Sequence, residues 1–307
     1  MNGKVTARGD ARTVTLGILL TLAGVFLFSV IDALGKWSLG AMGVGQLLLF
    51  RSITGLVLLA PLLVRAGPRA FTRAPRPGLQ VLRMVLAAVD SGAFFLAVTF
   101  LPLADAVTFY LAGPIFVTVM AAIFLGERVG WRRWLAVLVG FAGVVLALGP
   151  SASVASLPAL IALFGTLMFS LLMIVTRHLR DTPDLVLVSG NFIGTAVLGA
   201  LVAPFTWSPV ELPDVLPVMV MGVLSLVAHA TVNRSLKLAP ASTVAPFHYT
   251  IIVWAALFGF LVFGDMPGPF TIIGAMLIVG AGLFIYVRER QLAPRKMPLA
   301  APEAPEV

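Results

Sequence analysis

With 307 residues, 60% of them apolar (AVILMFWYC), only 11% charged and a mean hydropathy of +1.05, the chain holds more apolar surface than a soluble domain of its length can hide. Its formal charge of +8 has the size expected of a nucleic-acid binder but not the clustering, and the absence of Cys excludes disulfides and a thiol nucleophile. Lipid is the solvent that tolerates such a composition.

The chain opens with a basic stretch, residues 1–13, read as a cytoplasmic segment. Apolar runs then predict spanning helices at 14–35, 44–64, 80–101, 104–125 and 131–149, and again at 154–176, 185–205, 215–233, 241–263 and 270–287. Each is close to the ~20 residues that cross a ~30 Å hydrocarbon core, and each must be helical because backbone polar groups in lipid have no water to bond. Gly67 with Pro68, Gly149 with Pro150, Ser208 with Pro209, and Pro267 to Pro269 punctuate the breaks. The first run is too long for a signal-peptide core and is read as a retained helix. Residues 291–307, rich in Pro and Ala, predict a disordered cytosolic tail.

Charge placement gives an orientation. With the N-terminus inside, every Lys and Arg except Lys36 and Arg51 falls in an inner segment, while the outer loops carry Asp105, Glu211, Asp214 and Asp265. That alternation predicts two cytoplasmic termini and contact with anionic headgroups, and no nucleic-acid partner.

The chain also repeats itself. GVFLFSVIDALGK near residue 24 matches GTLMFSLLMIVTR near 165, aligning Gly24, Phe28, Ser29 and Lys36 with Gly165, Phe169, Ser170 and Arg177. Further on, FLGERVG (124–130) faces VFGDMPG (262–268) at nearly the same offset. Two repeats, 14–150 and 151–290, thus hold five helices each. Because five is odd, the second enters the membrane in the opposite sense to the first. Inverted repeats of this kind are a recurring architecture of secondary transporters, with the substrate between the halves near the midplane.

A resemblance can be stated on these residues. LPLADAVTFYLAGPIFVTVMAAIFLGERVGWRRWLAVLVGFAGVVLALGP (101–150) is similar to the end of a first EamA domain, and LAPASTVAPFHYTIIVWAALFGFLVFGDMPGPFTIIGAMLIVGAGLFIYVRER (238–290) to the end of a second. The chain therefore resembles the EamA family of drug/metabolite transporters, in its branch containing bacterial amino-acid exporters. The resemblance implies an all-α, ten-helix carrier of the bacterial inner membrane, with a central cavity walled by helices one to four and six to nine. It also implies export of amino acids or related metabolites, the alternative being uptake of nucleotide-like or vitamin-like compounds.

Ionisable residues inside spanning helices are costly and by default face the bundle interior as candidate functional groups. Asp32 lies toward the outer end of helix one, with Ser29 and Lys36 on the same face. Arg51 sits about 10 Å into helix two at ~1.5 Å per residue, and Asp90 is near the middle of helix three. Two readings stand for this trio. In one, Arg51 forms a buried ion pair that holds helices one to three in register. In the other, Asp32 or Asp90 receives a substrate amine or a coupling proton while Arg51 receives a carboxylate. Asp32 with Lys36 is also expected to form an intrahelical pair.

Tyr110, Pro114 and Thr118 fall at i, i+4, i+8 on helix four, with Pro114 breaking its hydrogen bonding. Pro246 disturbs helix nine before His248 and Tyr249, and broken helices at matching places in two halves point to a transporter site. Ser170, Asn191 and His229, with Asn233 a turn further on, complete the candidates. Ala136, Gly140, Gly143 and Ala147 form a small-residue pattern, suited to packing within the chain or to a homodimer, so monomer and homodimer both stand.

Other classes fit less well. Three scattered His and no Cys offer no metal cluster, no HExxH or Walker-type loop is present, and no selectivity-filter-like loop supports a channel. No cofactor, metal or catalytic role is expected. The expected partners are a small neutral or zwitterionic substrate, the lipid bilayer and, as a coupling ion, the proton.

Overall fold

The computed structural model describes residues 3–67, 75–124, 130–147, 156–179, 182–238 and 245–292. Among them every regular element is helical: α1 (Gly3–Ser38), α2 (Val44–Ala66), α3 (Pro77–Phe100), α4 (Leu103–Tyr110), α5 (Gly113–Phe124), α6 (Trp131–Ala147), α7 (Leu157–His178), α8 (Asp184–Val202), α9 (Leu212–Leu238), α10 (Ile251–Phe263) and α11 (Pro269–Leu292), with 3₁₀ turns at Ala203–Phe205 and Ala245–Thr250. Six helical stretches are long and apolar enough to cross a membrane: Thr13–Ser38, Val44–Ala66, Pro77–Phe100, Leu157–Thr176, Asp184–Phe205 and Leu212–Val232. Shorter apolar stretches at Leu103–Val117, Trp134–Ala147, Phe247–Phe263 and Pro269–Phe284 occupy the remaining predicted runs. The chain is a multi-pass membrane protein. Large apolar side chains such as Val64, Leu201, Phe205 and Leu261 lie on its outside, as a lipid solvent allows.

The main packing partners come from opposite halves of the chain. α1 packs on α9 and α3 on α7; α2 packs on α8, and α6 on α11. Without a hydrophobic drive in lipid, such contacts rest on close packing and interhelical hydrogen bonds. On α1 and α9, the Thr21 and Ser235 hydroxyls lie 2.6 Å apart, and Ser235 donates to the Gly17 carbonyl at 2.6 Å. Between α6 and α11, a Cβ on Gly143 would stand 2.9 Å from the Gly274 carbonyl oxygen, so the backbones meet where the small-residue pattern permits it. Within the chain, that pattern is taken up by α11. A core of Leu47, Leu48, Phe95, Val98, Leu103, Ile115, Met221 and Ile278 runs through the centre.

Two predicted runs are not single α-helices. The 104–125 run is α4 and α5, separated by a turn at Leu111 and Ala112, and the described part of the 241–263 run begins as the 3₁₀ turn Ala245–Thr250. The expected face of Tyr110, Pro114 and Thr118 is therefore corrected: the α-helical register ends at Tyr110, so the three positions do not share one helix. The side chains of Pro114, Thr118, Asn233 and Pro246 lie outside the described residues. α7 adds side-chain contacts at the first break: Thr166 Oγ1 donates to the Phe109 carbonyl and Ser170 Oγ to that of Gly113, both at 3.2 Å. Backbone freed at membrane depth must find such partners.

Candidate functional site

Asp32 on α1, Arg51 on α2 and Asp90 on α3 come together in the interior beside Phe95 of the core. Arg51 lies within electrostatic reach of both carboxylates, and its guanidinium carbon is 5.4 Å from the Phe95 ring centroid. All three side chains are half-buried, and the Phe95 beneath them is 2% exposed. The expected ion pair is not made: no Arg51 nitrogen comes within 4.0 Å of an oxygen of Asp32 or Asp90. Arg51 Nε and Asp90 Oδ1 are both buried without a hydrogen-bond partner. Native interiors rarely leave such atoms unbonded, and charged ones least of all. The trio presents opposite charges that are close enough to interact and too far apart to neutralise one another by contact.

Tyr110 stands at the edge of this group. Its hydroxyl donates to the Asp90 main-chain carbonyl at 3.2 Å, its ring meets Phe94 edge-on at 5.1 Å, and a side chain on Gly165 of α7 would collide with it. The break after Tyr110 is thereby tied to the middle of α3. From α9, His229 lies within electrostatic reach of Arg51; its Nδ1 is 2.7 Å from the Ser225 carbonyl, and its ring is edge-on to Phe28 at 5.2 Å.

The other candidates serve elsewhere. Ser29 is 1% exposed and donates to the Val25 carbonyl of its own helix at 3.0 Å. Ser170 is spent on Thr166 and Gly113. His248 is exposed, and the Tyr249 hydroxyl lies against Gly282 of α11. Asn191 accepts from Arg83 at 2.8 Å. The expected Asp32–Lys36 pair is also corrected, because Lys36 bonds Asp265 at 3.0 Å instead. Asp265 offers Lys36 a contact reinforced by the Leu101 carbonyl at 2.9 Å, which the neighbouring turn of α1 cannot match.

Arg83, which the charge pattern counts among the inner-segment charges, is 7% exposed. It donates from Nε to Thr176 Oγ1 at 2.9 Å and from one terminal nitrogen to the Leu187 carbonyl and Asn191 Oδ1, both at 2.8 Å. Its place within the apolar run 80–101 was the available signal. A groove of about 500 Å³ lies apart from the ionic trio, lined by α4, α10 and α11 through Ala104, Thr108, Ile252, Ala256, Thr271 and Val279. Its wall is almost wholly apolar and offers no charge to orient a polar cargo.

Known proteins place the chain's family and fold. The model of the EamA-like transporter family matches residues 15–149 and again 156–287. The pseudopaline exporter CntI of Pseudomonas aeruginosa is 31% identical over 86% of this chain and 94% of its own. The riboflavin transporter of Rhizobium johnstonii is 28% identical over 94% of this chain and 96% of its own, and the S-adenosylmethionine uptake transporter of Rickettsia bellii is 23% identical over 93% and 98%. A crystal structure covering 91% of this chain and 99% of its own aligns with a TM-score of 0.60 at 23% identity, a likeness of fold alone.

Proposed function

The chain belongs to the EamA-like transporter family, and from that premise we propose that it is a ten-span secondary carrier that exports small zwitterionic, amino-acid-like metabolites across the bacterial inner membrane. Its two five-helix halves are inverted repeats with both termini cytoplasmic, and transport proceeds by alternating access between them. The reading draws support from the double family match and from the reciprocal packing of α1 on α9 and α3 on α7, which exchanges equivalent helices of the two halves.

One observation carries the choice of cargo: Arg51 and the two carboxylates face a shared interior without contact pairing, with Arg51 Nε and Asp90 Oδ1 left open. A zwitterion satisfies both signs at once, its carboxylate on Arg51 and its ammonium on Asp90 or Asp32. An apolar cargo leaves Arg51 Nε and Asp90 Oδ1 without a partner, which costs more as water is expelled. Either carboxylate also serves as the site of a coupling proton when the cargo brings no cation. His229 borders this space as a hydrogen-bonding wall. Export is favoured over uptake because the 31% identical relative is named as an exporter, whereas the uptake carrier named above is 23% identical.

The test is counterflow in proteoliposomes with a labelled panel of amino acids, nucleosides and vitamins, with and without a pH gradient. Exchange of amino acids that falls in Asp90→Asn supports the reading. Exchange confined to nucleosides or vitamins replaces the cargo, and a normal Asp90→Asn removes that carboxylate from the site.

A further inference from the structure

Two side chains cross between the halves at one end of the bundle: Gln46 of α2, bonded to the Ser208 backbone at 2.8 and 2.9 Å, and a cation. Lys36, in the last turn of α1, donates from Nζ to Asp265 Oδ2 at 3.0 Å and to the Leu101 carbonyl at 2.9 Å, and lies 4.9 Å from the Phe263 ring centroid. Leu101 follows α3 in the first half, whereas Phe263 and Asp265 stand at the end of α10 and in the loop before α11. The ammonium thus bridges the two halves, and its side chain is only 15% exposed.

A second carboxylate stands beside it with one oxygen unpartnered. Asp105 on α4 has Thr271, Asp265 and Lys36 as its polar surroundings, yet its Oδ1 is buried without a hydrogen-bond partner. An unbonded carboxylate oxygen is expensive to keep, and its presence at a contact between halves asks for a second state that uses it. Lys36 and Asp105 belong to the same half. As the outer end opens in the alternating-access reading above, Asp265 and Phe263 move away from α1, and Lys36 would be stranded but for Asp105.

We propose that Lys36 is a two-acceptor latch: paired with Asp265 it closes the outer end, and on opening it passes to Asp105. The inference rests on the alternating-access reading above. Closing uses a contact across the halves and opening uses one within a half, so the ammonium keeps a carboxylate in both states. The cost of desolvating a lone cation is thereby removed from the transition.

The natural chain has no Cys, so one thiol at Thr108→Cys, fully buried a turn beneath Asp105, reports opening. The readout is its rate of reaction with a membrane-impermeant maleimide added outside right-side-out vesicles. Asp265→Asn is expected to raise that rate on the order of tenfold, as loss of a part-buried charge pair shifts the population toward open. Asp105→Asn is expected to lower it and to slow cargo exchange, and Asp105→Glu to restore exchange, which a merely misfolded variant does not predict. In a Lys36→Met background, adding Asp105→Asn should change nothing further. The latch is overturned if Asp105→Asn speeds labelling as Asp265→Asn does, or if its effect persists without Lys36. If the wild-type chain exchanges nothing on the panel, it is the transport reading that falls, while labelling still decides the latch.

Discussion

Arg51 and Arg83 are the same residue in neighbouring helices of one half, and they sit in opposite situations. Arg83 is almost fully buried and spends its donors on three neutral acceptors from α7 and α8. Arg51 is half-buried, lies against Phe95, has two carboxylates nearby without contacting them, and keeps Nε unbonded. A guanidinium that is satisfied fixes helices in place. One that is poised among opposite charges is available to something that arrives and leaves. Burial of an arginine in a membrane helix therefore does not by itself mark a transport site; in the proposal above, the state of its donors is what separates Arg51 from Arg83.

The contrast can be broken by substitution. Arg51→Gln is expected to cut counterflow about 100-fold, the loss typical when one side of a desolvated charge contact is removed, with little change in unfolding temperature. Asp32→Asn and Asp90→Asn are expected to reduce exchange by about tenfold each, since either carboxylate can hold an ammonium and one remains, and the double variant should fall further than the product of the two. Arg83→Gln should act on the other axis: it leaves the Leu187 carbonyl, Asn191 and Thr176 without their donor and costs about 2–3 kcal/mol of stability, read as a lower unfolding temperature in detergent. Smallest is Ser170→Ala, which loosens the break in the fourth span by roughly 1 kcal/mol and should show as a modest drop in the same melt.

What the sequence made legible follows from how conspicuous each signal is. Asp32, Arg51 and Asp90 stand out because a charge inside an apolar run has a known cost, and the structure brings these three together. The breaks near Tyr110 and Pro246 are legible through proline chemistry, although the register around Pro114 is not, because the turn falls before the proline at Leu111 and Ala112. Partners are much harder to read. Lys36 has Asp32 one turn away in sequence and Asp265 far along the chain, and only the assembled bundle shows that the distant carboxylate wins. Arg83 is hidden by the rule that makes orientation readable, since inner arginines are counted as topology charges whether or not they point inward. Ser29, Ser170 and Asn191 have the bonding capacity of ligand residues but spend it on Val25, Gly113 and Arg83.

The most direct test is cargo-induced thermal stabilisation of the purified protein, using a compound that the counterflow panel identifies, on the wild type, Arg51→Gln and Arg83→Gln. Binding to the folded state alone raises the unfolding temperature. Arg51→Gln should melt at the wild-type temperature and lose the cargo-induced rise, while Arg83→Gln should melt lower and keep it. A rise of wild-type size in Arg51→Gln would place the cargo elsewhere and contradict the assignment of the open charges to transport.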